Sequence, residues 1–352
     1  MTIEIIKSSI LLDQFNASLI HRATISPTAY YQYIVSLCVL LVICNLLQNG
    51  FTICSICRKL RKRKRSGWQS QSRRRKKVQT VSMQIYNLCL HTVHIVVLIG
   101  VPGIIFDITN QYYPLGSIYC KLQWTLETIN KIVSNFLLLT MSAHCYVKVC
   151  GGQLRPVLKR RLKQMTILRV LTLNLVAAFV LTIPVFLYSD IHMMVYTIGD
   201  QKFILTQKCL FNPGEPVLRL TVLAVFAIAY VIPTLVQLLF YGGMLVYVRR
   251  KRQRVSARRQ NCHLTGAARN CIILLGVYMC CWTPFWIAQL YTLFAESLED
   301  NTQLSLILYY TTLLLPYIYA STNSSIHRSI SIVLKAKLLR TCGRQGTSDI
   351  SL

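Results

Sequence analysis

Seven apolar runs cross this chain, reading roughly Tyr31–Cys57, Gln79–Phe106, Leu122–Val149, Met165–Tyr188, Val217–Val248, Ala267–Ala295 and Gln303–Ala320. Each is near or above the ~20 residues that a helix needs to cross a bilayer. Lipid offers no partner to a backbone N–H or C=O, so segments of this length cross as helices that satisfy their own polar groups. The expected fold is an all-α membrane protein, a seven-transmembrane helix bundle. Residues 1–30 read as an extracellular tail, 31–320 as the bundle, and 321–352 as a short amphipathic helix with a cytoplasmic tail. No loop or tail offers room for a separate soluble domain.

The charges between the runs are sorted by side. With the N-terminus outside, every acid except Asp349 falls outside or, like Glu127, within a span. Of the bases, only Lys7, Arg22, Lys121, Lys131, Lys202, Lys208 and Arg219 avoid the inner side. Lys and Arg retained on the cytoplasmic face follow the positive-inside rule. The expectation is a multi-pass plasma-membrane protein with its N-terminus outside and its C-terminus in the cytoplasm.

A formal charge of +28 invites a nucleic-acid partner, but 53% of the chain is apolar and only 14% is charged. The bases stand directly beside apolar spans, so anionic inner-leaflet lipid is the simpler counterion, and no nucleic acid is expected. Arg58–Lys77 is the densest stretch, with Arg58, Lys59, Arg61 to Arg65 and Arg73 to Lys77. It reads either as a phosphoinositide patch or as a topological anchor with a disordered middle, and Arg249–Arg259 repeats the pattern. No cleavable signal peptide is evident, because the first apolar run is long enough to span. Asn16-Ala17-Ser18 is a glycosylation sequon in the outer tail. Asn323–Leu338 reads as an amphipathic surface helix, with Ile326, Ile330, Val333, Leu334 and Leu338 on one side. Cys342 beyond it is a candidate for palmitoylation.

Of 14 cysteines, only Cys120 and Cys209 fall on the outer, oxidising side, which makes them the natural disulfide pair; two free thiols are the alternative. Cys54 and Cys57 form a lone C-x-x-C without the second pair that a metal site needs. His91 and His94 share a helix face and lack a third ligand, so interhelical hydrogen bonding is the plainer role. Nothing joins a nucleophile to a base and an orienting acid. The chain is therefore expected to have no enzymatic activity, no cofactor and no metal.

Glu127 is the one acid within a span, about 10 Å below Cys120 by helical rise. A carboxylate at that depth is costly and should face a cavity in the bundle. It reads as a counterion for a cationic ligand group, or as an internal partner of Lys131 one turn along.

Together these residues resemble a family, the rhodopsin-like (class A) G-protein-coupled receptors. Cys281-Trp282-Thr283-Pro284 resembles its sixth-helix C-W-x-P motif, and Pro233 with Tyr241 the fifth-helix proline and tyrosine. Pro316 and Tyr319 resemble the end of the seventh-helix N-P-x-x-Y motif, Asn49 the first-helix asparagine, and Cys120 with Cys209 the usual disulfide. The third span is most similar to somatostatin, opioid and allatostatin-C type peptide receptors, through Tyr113-Pro114-Leu115-Gly116-Ser117, Cys120 and Ile129-Asn130. Glu127 stands where those receptors carry an aspartate that meets a ligand amine. The resemblance implies an extracellular, cationic neuropeptide ligand and a heterotrimeric G-protein partner. It places Trp282, Phe285 and Trp286 beneath the ligand, with Gln289 and Tyr291 as upper-wall contacts. His144, Cys145, Tyr146, Pro233, Tyr241, Pro284, Pro316 and Tyr319 would form the activation switch.

The departures concern that switch. His144-Cys145-Tyr146 stands in place of D-R-Y, and Leu315-Pro316-Tyr317-Ile318-Tyr319 in place of N-P-x-x-Y. Thr92 replaces the second-helix aspartate that binds sodium with the third-helix serine, here Ser134, and Asn174 replaces the fourth-helix tryptophan. A thiol cannot supply the donor fan of a guanidinium. Weak or unconventional G-protein coupling and sodium-insensitive binding are the expectations. One rival reading is a receptor-like protein that binds ligand without activating G proteins. Another is a seven-span transporter or channel, which predicts several polar residues at mid-membrane and often an internal repeat; this chain has one buried acid and no evident repeat.

Overall fold

The computed structural model describes residues 2–7, 21–22, 29–65, 71–110, 112–150, 167–198, 201–254, 258–294, 308, 310–323 and 325. The first helix is Ala29–Arg65 and the second is Gln71–Val96, continued through a 3₁₀ turn (Val97–Gly100) into Val101–Thr109. The third is Gly116–Cys150 and the fourth Ile167–Tyr188. The fifth comprises Glu215–Val225, a π turn at Phe226–Val231, and Ile232–Arg254. The sixth is Arg258–Phe294, and residues 310–323 are helical in the seventh. Among the described residues, five of these are long and apolar enough to cross a membrane. The third helix, 35 residues long, carries Lys121, Glu127 and Lys131 and is not among the five. On the fourth, Leu173, Leu175, Val176, Phe179, Val180 and Leu187 stand exposed, a contiguous apolar surface suited to lipid and not to water.

Prolines account for both irregular turns. Pro102 has no N–H to offer the Leu98 carbonyl, and the 3₁₀ turn supplies the Val101 N–H instead. Pro233 likewise removes the donor for Ala229, one turn back, and it lies one residue past the π turn's C-cap boundary, where the Ile232 N–H reaches Ala227.

Within the basic stretch Arg58–Lys77 the first helix runs to Arg65 and the second starts at Gln71, and residues 66–70 lie outside the described residues. Lys and Arg are good helix formers, so the spans extend as helix beyond the apolar core. Beside the helices the chain carries a four-stranded sheet of order β1-β3-β4-β2, an element the hydropathy pattern does not announce. Ser189–Ile198 (β3) and Gln201–Phe211 (β4) pair antiparallel, with Ile198 opposite Gln201 and a shift between Met194 and Val195. Thr2–Lys7 (β1) adds to β3 antiparallel, and His21–Arg22 (β2) to β4 in parallel. Asn16, Cys342 and almost all of Asn323–Leu338 lie outside the described residues.

The chain forms two compact units. One comprises Met1–Leu46, Thr92–Leu137 and Leu168–Pro233, with the sheet and the upper third helix; the other comprises Leu47–His91, Leu138–Ile167 and Thr234–Leu352.

Candidate ligand site and switch elements

In the first unit, Cys120 and Cys209 are joined as a disulfide, with Cα atoms 5.6 Å apart. The bridge fixes β4 to the top of the third helix, and both sulfurs are buried with Tyr113 under Leu115, Tyr119, Trp124 and Ile191. Polar contacts hold the same junction. The Trp124 indole N–H donates to the Cys209 carbonyl at 3.3 Å, and the Cys209 N–H to the Asp107 carboxylate at 3.3 Å. The Lys208 ammonium donates to the Asp107 carbonyl and, at 3.4 Å, to that of Asn110. Burial pulls the Lys208 pKa below the ordinary lysine range, and the Asp107 carboxylate partly opposes it. The Tyr113 hydroxyl donates to Gln123 at 2.8 Å. Burial pushes the Tyr113 pKa up, aided by Tyr119 and Asp107, so it stays a neutral donor.

Two turns below the bridge, Glu127 is buried and paired with Lys131, Oε1 to Nζ 3.4 Å, on the next turn of the same helix. The internal pairing that the spacing allowed is thus formed, and any ligand amine competes with it. One turn further, the Ser134 hydroxyl donates to the Asn130 side chain at 2.9 Å.

Asn135 is a residue that the sequence reading missed. Its amide donates to the Ala229 carbonyl at 2.5 Å, the carbonyl that Pro233 leaves without a helical donor. A signal was present: an asparagine in an apolar stretch of the third helix and a proline within the fifth. Removing the donor leaves a buried carbonyl unsatisfied, which costs about 1–3 kcal/mol. Asn135→Leu should therefore lower thermal stability in detergent by about that much, whereas Asn135→Gln should recover part of the loss. A Leu variant as stable as the parent would show that the bond contributes nothing net.

The second unit holds the aromatic elements. Trp282, Phe285 and Trp286 are buried on the sixth helix and meet edge to face, with centroids 5.8 and 5.5 Å apart. Gln289 is half-buried on the same stripe at i+3 from Trp286. Tyr291 is two positions on, off that stripe, and 58% exposed. Tyr278, not singled out from the sequence, stacks on Trp282 at 5.7 Å and meets Tyr319 edge-on at 5.4 Å, which links the sixth and seventh helices. Pro284 lies inside the sixth helix and Pro316 is buried in the seventh.

In the same unit the Tyr241 hydroxyl is hydrogen-bonded to Ser142. The Tyr146 ring packs on Phe240 at 5.2 Å, over Gly243, where a Cβ would come within 2.9 Å of it. His144 faces the Tyr86 ring at 5.4 Å. Cys145 is half-buried and forms no disulfide. His91 contacts Asn49 at 2.7 Å, and the Asn49 amide donates to the Ala320 carbonyl at 3.3 Å, tying three helices together. That is the interhelical role expected of a membrane histidine.

The family model described as 7 transmembrane receptor (rhodopsin family) matches residues 73–326, more than half of the chain. Neuropeptide receptor 18 of Caenorhabditis elegans is 27% identical over 68% of this chain and 54% of its own length. Somatostatin receptor type 1 of Rattus norvegicus is 23% identical over 71% of this chain and 62% of its own length. Somatostatin receptor type 5 of Mus musculus is 24% identical over 72% and 67%. The chain thus spans little more than half the length of the first of these relatives.

Proposed function

This chain belongs to the rhodopsin family of seven-transmembrane receptors, and we propose that it is a plasma-membrane receptor for an extracellular, cationic peptide that signals to heterotrimeric G proteins. The observation that carries the proposal is a buried carboxylate, Glu127, two turns beneath a disulfide-anchored outer sheet. Similarity to a neuropeptide receptor and to somatostatin receptors supports a peptide as the ligand. In this reading the N-terminus is outside, the basic helix extensions meet anionic inner-leaflet lipid, and Asn16 carries glycan. The ligand amine approaches Glu127, while Trp282, Phe285, Trp286, Gln289 and Tyr291 are the contacts that the family resemblance implies. The sixth helix then moves about Pro284, shifting a two-state equilibrium, and Pro233, Tyr241, Pro316 and Tyr319 repack with it.

Cys145 supports a second reading, a receptor that binds peptide with little or atypical G-protein coupling. Ligand-stimulated nucleotide exchange on purified G proteins separates the two. Exchange that is weak in the parent and rises at least about tenfold in Cys145→Arg, worth about 1.4 kcal/mol of coupling, is the expected result. Robust exchange unchanged by the substitution would remove Cys145 as the limiting residue. Peptide affinity is also expected to be the same in sodium and in a matched organic cation, because Thr92 and Leu315 bring no carboxylate or amide and Ser134 is engaged with Asn130. A clear loss of affinity in sodium alone would count against this.

A further inference from the structure

Glu127 can meet a ligand amine only by loosening its hold on Lys131, and that exchange defines the ligand more narrowly than one positive charge does. The two side chains are each 10% exposed and approach to 3.4 Å on successive turns. Within Leu122–Val149 the sequence supplies no second acid. A simple amine arriving at Glu127 would bring a second cation to the carboxylate that Lys131 already holds, in surroundings shielded from water. Like charges at such range repel strongly where the dielectric is low, and a buried charge that loses its partner is costly. A ligand that brings a carboxylate next to its amine removes the imbalance. Each charge of the site then trades its internal partner for a ligand partner, and charge-assisted hydrogen bonds replace the one that opens.

Resting on the peptide-receptor reading above, we propose that Glu127 and Lys131 form a dipolar subsite for a closely spaced basic and acidic pair on the ligand, the basic group on Glu127 and the carboxylate on Lys131. The short separation limits the source of that pair. Neighbouring basic and acidic side chains fit it, as does a C-terminal arginine or lysine with a free carboxylate, whereas charges at opposite ends of a peptide do not. The closed ion pair also discriminates: it offers a lone amine no unopposed carboxylate, so simple amines are turned away by the same groups that accept the paired ligand.

The test pans the full-length receptor in lipid nanodiscs against matched random peptide sets. Three are acetylated and amidated and carry Lys-Asp, Lys-Asn or Asn-Asp at one fixed site; a fourth is acetylated and ends in arginine with a free carboxylate. Binders from the Lys-Asp set or the free-carboxylate set at least about tenfold tighter than those from the Lys-Asn set are expected, and which of the two dominates identifies the source. In Lys131→Met the advantage of Lys-Asp over Lys-Asn should vanish while the lysine stays necessary. Should that variant fail to assemble, the wild-type ratio decides alone. Equal binders from Lys-Asp and Lys-Asn, or binders from Asn-Asp alone, would overturn the dipolar subsite and leave a peptide receptor standing. No receptor-dependent binder from any set would sink both.

Discussion

Lys131→Met is expected to lower the stability of the solubilised receptor by about 3–5 kcal/mol, because it leaves the Glu127 carboxylate buried without its cation. Pairing Lys131→Met with Glu127→Gln should return most of that loss, since replacing both members of a buried ion pair by neutral groups of similar volume is often close to neutral. The control is Arg219 with Glu215, an i,i+4 pair that is shorter at 2.8 Å but has side chains 45% and 76% exposed. Water screens that pair, and Arg219→Gln should change stability by no more than about 1 kcal/mol. Burial, not distance, decides which pair matters. Thermal unfolding of the four proteins in one detergent gives the comparison. A double variant as unstable as the single one would show that the loss comes from packing at position 131 and not from the orphaned charge.

Cys120→Ser, or Cys120→Ser with Cys209→Ser, is expected to cost about 2–5 kcal/mol. The bridge closes a segment of 89 residues, and long closures restrict the unfolded chain most. Its local effect is as important. Without it, β4 keeps the Trp124 bond to the third helix and the Asp107 and Lys208 contacts at the end of the second, and a hairpin held by fewer links opens more readily. Hydrogen exchange should rise across Ser189–Phe211 while the amides of residues 272–294 stay protected, and ligand binding should fall in parallel. Exchange unchanged in the strands would mean that the polar contacts suffice.

The parts legible in the sequence were those set by one strong physical term. Hydrophobicity over twenty residues marked the spans, and the compartment rule singled out Cys120 and Cys209. The buried Glu127 drew attention because a membrane acid must be answered by something. Which answer it finds was not legible: spacing permits Lys131 equally as partner or bystander, and only side-chain packing settles it at 3.4 Å. The sheet was overlooked because the spans dominate any hydropathy reading. Its own signal was present in Ile191, Val195, Tyr196, Thr197, Ile198, Phe203, Ile204 and Thr206, β-formers on either side of Gly199-Asp200, a pair common between two-residue hairpin strands. Asn135 and Tyr278 escaped for another reason. Their partners, Ala229 and Tyr319, are respectively 94 and 41 positions away, and local pattern carries no information about such meetings.

The π turn at Phe226–Val231 acts as a screw dislocation in the fifth helix. Its buried residues run Thr221, Val225, Ala229, Tyr230, Pro233, Thr234, Gln237, Tyr241 and Met244. Steps of four along an ideal α-helix drift by about 40° each, because successive residues turn by about 100°. A wider turn takes up part of that drift. Deleting a single residue there would leave the sequence above it intact yet rotate that whole half by about 100°. Thr221 and Val225 would swing out of the interior, and the surface presented by Glu215–Val225 would be a different one. The angular setting of Glu215–Val225 is therefore stored in one loosened turn, secured by a proline on one side and an asparagine from the neighbouring helix on the other.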